Sequence, residues 1–236
     1  VPNSDIRDLD DMEFEVGEFP VTAEATAPAA EKTAKLVRQF VEAAKEKLAD
    51  EHPANMVLLR GFSQLPDWPL FPDVFGVRAV AIAMYPMYRG VAKLVGMDAL
   101  PASHSMEEEL ETLKKVWDDY DFFFFHVKKS DSAGEDGDFD RKVSVIEHAD
   151  EIFAQVMDLS PDVMVVTGDH STPAKMKYHS WHPVPLMIWS EQCRPDDATV
   201  FTERACLKGG LGPRLPAADI MPLAMGNALR LSKYGA

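Results

Sequence analysis

The residues with chemical potential in this chain lie in two short stretches. In the first, Gly168-Asp169-His170 is followed by His179-Ser180-Trp181-His182-Pro183, which puts one carboxylate and three imidazoles within fourteen residues. Mixed carboxylate and imidazole donors suit zinc or manganese. A polar loop whose histidines only hydrogen-bond to backbone is the competing reading. In the second stretch, His126-Val127-Lys128 leads into Asp131, Glu135, Asp136 and Asp138, with Gly134 and Gly137 between them. Calcium is a poor match for this acidic loop, because it lacks an EF-hand's length and terminal Glu. A solvated turn capping the following helix accounts for Asp138 or Asp140. It does not account for Lys128 and Asp131 standing directly after an apolar run.

Both stretches follow segments with the character of buried strands. Val163 to Val166 is a β-branched apolar run without polar alternation, and Phe122 to Phe125 is wholly aromatic. Such runs suit strands of a parallel sheet covered on both faces. In an open α/β sheet the loops beyond the strands' carboxyl ends form the ligand crevice. If both strands run parallel, Asp131 and Asp169-His170 therefore emerge at one edge. Val184 to Trp189 reads as the next strand, with Leu186–Trp189 near the other two.

The remaining elements alternate in the same way. Thr26 can cap a helix with Pro28 in its first turn. Leu36, Val37, Phe40, Val41, Ala44 and Leu48 then share a helical face. Met56 to Leu59 reads as a strand ending at Arg60, and Leu65 to Pro72 as an apolar crossing between substructures. Val77 to Met84 is a strand, Tyr88 to Val95 a short helix, and Met106 to Asp118 a helix with Leu110, Leu113 and Trp117 on one stripe. Its acidic start, Glu107 to Glu109, complements the helix dipole. Long helices are predicted over about 140–158 and 217–231. The expected fold is an α/β sheet flanked by helices.

Composition limits what these elements can serve. The 236 residues are 46% hydrophobic and 27% charged, as in globular proteins. A net charge of −15 argues against a nucleic-acid partner. It leaves room for an anionic metabolite beside a divalent metal. No apolar run reaches membrane-spanning length and no signal-peptide pattern opens the sequence, so no membrane partner is expected. Cys193 and Cys206 form no CxxC, and a reducing cytoplasm is the expected compartment. Nothing in the sequence fixes an oligomeric state.

The motifs HVKKSDSAGEDGDFDRK, GDHSTP and HSWHPVP resemble those of the archaeal-type, cofactor-independent phosphoglycerate mutases of the alkaline phosphatase superfamily. The similarity extends through HPANMVLLRGF, FGVRAVAIAMYPMYRGVAKLVGM and IEHADEIF, and so covers most of the chain. The resemblance implies an alkaline phosphatase-like sheet flanked by helices, in part, with some or all of an inserted α+β substrate domain. On that basis residues 1–70 correspond to the inserted domain and 71–236 to the carboxyl-terminal part of the catalytic domain. It also implies two divalent metals, manganese or zinc, with magnesium as a further candidate. One is held by Asp131, position 135 and His179, the other by Asp169 and His170 with help from elsewhere. Glu135 departs from the family's His at its position, and His182 is a candidate compensating ligand. Lys128, Arg60 and Arg89 are the implied anion contacts.

The implied reaction is interconversion of 3-phosphoglycerate and 2-phosphoglycerate through a phosphoserine. Ser4, Ser63 and Ser103 lack the nucleophile's context. The serine and one Asp ligand are therefore expected upstream of Val1, and these 236 residues alone are expected to be inactive. Two other readings stay open at the level of sequence: a metal-dependent phosphatase of the same superfamily, and a non-catalytic metal-binding module.

Overall fold

The computed structural model describes residues 23–59 and 61–231. Its chain divides into two compact units that meet between Asp67 and Trp68.

In the first unit, a 3-10 turn at Pro28–Ala30 leads into helix α1, Glu31–Lys47. Ala27, not Thr26, is the N-cap residue of that turn, and its side chain makes no capping bond. Proline explains this: its fixed φ starts the turn and it has no N–H to satisfy. Ala30, Ala34, Val37 and Val41 are buried, whereas Leu36 and Phe40 are exposed. The covered stripe is thus rotated from the face expected. Met56, Leu59 and Phe62 pack on Val37 and Val41. Met56–Leu59 is not a strand, because its apolar side chains are satisfied by this helix rather than by a sheet. Arg60 lies outside the described residues.

The second unit opens with α2, Phe71–Phe75, then β1, Ala79–Ala83, and α3, Pro86–Leu94. Trp68 and Leu70, expected to be covered, are 55% and 45% exposed. Next come β2, Asp98–Ala99, α4, Met106–Lys115, and β3, Phe122–His126. The order β2-β1-β3 is parallel throughout. β1 is therefore central, and all five of its residues are buried. β3 is an edge of this ladder and only half-buried.

The acidic stretch after β3 is helical, unlike the loop expected. α5, Lys129–Glu135, runs almost directly into α6, Phe139–Met157. Gly137 makes the joint at φ +72°, a left-handed conformation that glycine adopts without a Cβ penalty. Asp138 accepts the N-terminal capping bond of α6 from the Arg141 backbone N–H.

β4, Val163–Val166, and β5, Met187–Ser190, pair antiparallel and form a separate ladder. This corrects the expectation of one sheet holding all three apolar strands as neighbours. A parallel return needs a crossover, usually helical. The segment between β4 and β5 contains no helix and folds back on itself through a Ser171–Ser180 bridge. Packing joins the two ladders instead: Met164 of β4 shares a core with Phe123, Phe125, Ile82, Leu110, Leu113 and Ile152. The short α7, Glu203–Cys206, follows, then a 3-10 turn and α8, Ile220–Asn227. α8 is shorter than the predicted helix. Its Met221 and Met225 pack against Val77, Ala79 and Phe122.

Candidate metal centre

Three elements of the second unit converge on one cluster of donors. Asp131 and Glu135 stand four residues apart on α5, hence on one face. Asp169 and His170 follow β4 directly. His179 is brought back by the Ser171–Ser180 bridge, closed by Ser180 N–H donating to Ser171 O at 2.8 Å. Alternation across that bridge puts His170, Thr172 and His179 on its other face. The two imidazole rings lie 3.9 Å apart.

One donor atom from each of Asp131, His170 and His179 lies within 4.8 Å of the others. Glu135 Oε1 is 3.6 Å from His179 Nε2, which is 3.8 Å from Asp131 Oδ1. On the other side, His170 Nε2 faces Asp169 Oδ2 at 3.4 Å. Asp131 and Glu135 thus gather around His179, while His170 meets Asp169 through Nε2 and lies 3.9 Å from Asp131 Oδ1 through Nδ1. His182 instead contacts the Ser180 hydroxyl through Nδ1 at 2.9 Å.

The donors are held by neighbours that the sequence did not single out. Thr172 donates its hydroxyl to Asp131 Oδ1 at 2.5 Å and contacts His170 Nδ1 at 3.0 Å. This leaves His170 Nε2 as the nitrogen that faces Asp169. Lys142 of α6 donates to the Thr172 carbonyl at 2.6 Å. Gly134 makes the approach of α5 possible. A Cβ there would lie 2.2 Å from the Thr172 carbonyl oxygen and 3.0 Å from Lys142 Nζ.

Electrostatics keep Asp131 and Asp169 ionised. Partial burial pushes the Asp131 pKa up, but hydrogen bonds from Lys128 and Thr172 outweigh it and hold the carboxyl below its usual range. Burial likewise opposes ionisation of Asp169, and the Tyr88 hydrogen bond and the charge of His170 prevail. Burial lowers the Lys128 pKa, while its bond to Asp131 brings the net shift upward. Its ammonium also sits 5.0 Å from the centre of the Tyr85 ring. Burial pushes the Tyr88 phenol up, and Asp169 adds to the shift. Burial lowers His126 against the pull of Asp169, which favours a neutral ring.

The anion contacts expected from sequence fare differently. Lys128 is at the cluster, paired with Asp131. Arg89 lies on α3, with its Nε buried and without a hydrogen-bond partner among the described residues. Arg60 falls outside the described residues. Tyr88, Thr172 and Lys142 belong to the site but were not found from sequence. Tyr88 comes from a helix far from the ligand motifs, and only the fold brings it in, whereas Lys142 is the last residue of HVKKSDSAGEDGDFDRK. Thr172 was within reach of notice, as it is two residues after His170.

The metalloenzyme superfamily profile matches residues 21–226, and the chain belongs to that family. Within it, the chain is homologous to the archaeal-type 2,3-bisphosphoglycerate-independent phosphoglycerate mutases. A protein from Aquifex aeolicus named as a probable mutase of this kind is 52% identical over the whole of this chain. One from Deinococcus radiodurans is 51% identical over 93% of it. The chain spans 58% and 54% of those two relatives.

Solved structures agree. One of a Pyrococcus horikoshii protein superimposes with a TM-score of 0.75 at 34% identity, covering 89% of this chain and 60% of that one. The cofactor-independent phosphoglycerate mutase from Thermoplasma acidophilum shares the fold, with a TM-score of 0.61 at 21% identity. It covers 95% of this chain and 59% of the other.

Proposed function

We propose that this chain carries the metal centre of an enzyme that interconverts 3-phosphoglycerate and 2-phosphoglycerate. The observation that carries the reading is the convergence of Asp131, His170 and His179 within 4.8 Å, in a chain homologous to such mutases. The donor set fits divalent metal: ionised carboxylates and imidazoles suit manganese or zinc. Asp131, Glu135 and His179 would hold one ion, and Asp169 with His170 a second. Metals so held supply positive charge that favours an alkoxide nucleophile and offsets phosphoryl charge.

The chain's own residues then divide the remaining work. Lys128, part-buried against Asp131, exchanges that carboxylate for a substrate anion. Arg89 offers a planar guanidinium suited to phosphate or carboxylate, and Arg60 has the same role. Thr172 and Lys142 fix the spacing of Asp131 from His170. The nucleophile in this reading is a serine outside these 236 residues, and the phosphoryl group passes through it to the glycerate's other hydroxyl. Residues 1–70 clamp substrate and 71–236 complete the catalytic domain.

The test is a coupled enolase assay with manganese, run on this chain and on a longer form extended upstream. Activity of the longer form, lost with Asp169→Ala, and inactivity of the 236 residues are expected. Release of inorganic phosphate from 3-phosphoglycerate without 2-phosphoglycerate would overturn the mutase in favour of a phosphatase. Equal turnover by the short chain would overturn an external nucleophile.

A further inference from the structure

Asp169 is half exposed, yet both of its carboxylate oxygens are engaged. Oδ1 accepts the backbone N–H of His170 at 3.0 Å. Oδ2 faces His170 Nε2 and also accepts the hydroxyl of Tyr88. Tyr88 comes from a distant part of the chain, in the first turn of α3 after β1. Its ring is not free to swing, because it stacks on the His126 ring with centroids 3.8 Å apart and planes 28° apart. His126 is the last residue of β3, so the stack fixes the phenol against the end of the parallel sheet.

We infer that Tyr88 is a positioning residue: clamped on His126, it sets the orientation of the Asp169 carboxylate toward the space it shares with His170. The inference rests on the reading of Asp169 as a metal ligand. An exposed carboxylate can rotate among several orientations, and a partner that selects one spares that loss of freedom when a ligand binds. A neutral hydroxyl suits the task. It orders the oxygen without bringing a second cation beside it, unlike the Lys128 ammonium at Asp131. Metal-ligating carboxylates generally need such outer partners, and losing one costs about 10–100-fold in metal affinity.

Manganese binding by the full chain, followed by calorimetry, tests this with Tyr88→Phe, Asp169→Ala and the double variant. Phenylalanine keeps the ring and its stack, and a thermal melt of each variant checks the fold. Asp169→Ala is expected to lose one manganese site. Tyr88→Phe is expected to weaken that site by roughly 10–100-fold and to change nothing further in the Asp169→Ala background. Equal weakening in both backgrounds would overturn the inference, since the phenol would then act on structure generally. Wild-type or tighter binding by Tyr88→Phe, with Asp169→Ala impaired, would overturn it while leaving Asp169 a ligand. Unchanged binding by Asp169→Ala would remove the ligand reading itself.

Discussion

At the scale of single residues, two groups with no ligating role matter, one to the site and one to the stability of the fold. Gly134 is one. Its missing side chain lets α5 rest on the Thr172 carbonyl, and an added Cβ would fall 2.2 Å from that oxygen. The obstacle is backbone, so it cannot swing aside as a flexible side chain would. Gly134→Ala should destabilise the protein by about 1–3 kcal/mol, as overpacking does. It should also part Asp131 from His170. Urea unfolding and manganese calorimetry on the same variant check both effects.

Glu109 of α4 is the other. It is fully buried, and among the described residues neither oxygen has a partner that meets full hydrogen-bond geometry. Burial raises its pKa from 4.5 to about 7. The Met84 backbone N–H and the charge of Lys129 oppose the shift without cancelling it. The folded state therefore holds this proton where the unfolded chain has released it. Stability falls as pH rises from the unfolded pKa to the folded one, by up to roughly 3 kcal/mol. Glu109→Gln should remove that slope from urea midpoints measured across this window. An unchanged slope would mean that Glu109 is not its source.

At the scale of elements, α4 and α6 are tied by a histidine at their surface. His148 of α6 meets Glu107 at 2.8 Å and Glu151 at 3.3 Å. Its pKa is raised, first by the Glu151 hydrogen bond and then by Glu107. The sign is opposite to the requirement of a base that must be neutral. The pair stabilises fully below the unfolded histidine pKa and is lost as pH rises through the folded value. His148→Gln should therefore lower the thermal midpoint near about pH 5.5 and leave it unchanged near about pH 8.5. A deficit independent of pH would assign the effect to packing. The same element carries the N-cap of Asp138, so the start of α6 is fixed independently of His148.

At the scale of the molecule, every described residue of the metal centre belongs to the second unit, beyond Asp67. That unit has its own core, centred on Ile82, Leu110, Leu113 and Ile152. Residues 68–236 expressed alone should therefore bind manganese with the stoichiometry and affinity of the full chain, read by calorimetry. Loss of binding would show that the first unit supplies part of the site. No described helix is long and apolar enough to cross a membrane.

What the sequence determined by itself was local. Periodicity placed α1 and α4 within a few residues, though it turned the covered face of α1, because an amphipathic stripe is a property of neighbouring side chains. Apolar runs marked β1, β3, β4 and β5 for the same reason. The donor residues were legible as types: Asp and His clustered after apolar runs, and Asp131, His170 and His179 do meet. Strand direction was not legible, since an apolar run has the same composition whether its partner is parallel or antiparallel. The turn of the chain at Ser171–Ser180 settled that for β4 and β5. Nor was the helix of α5 legible: a stretch of Asp, Ser and Gly has poor intrinsic helix propensity, and burial of Ala133 together with the close approach of Gly134 to the Thr172 backbone overrides it. Tyr88 shows the limit most plainly. Eighty-one residues separate it from Asp169, and only the packing of α3 beside the end of β3 puts its hydroxyl on that carboxylate.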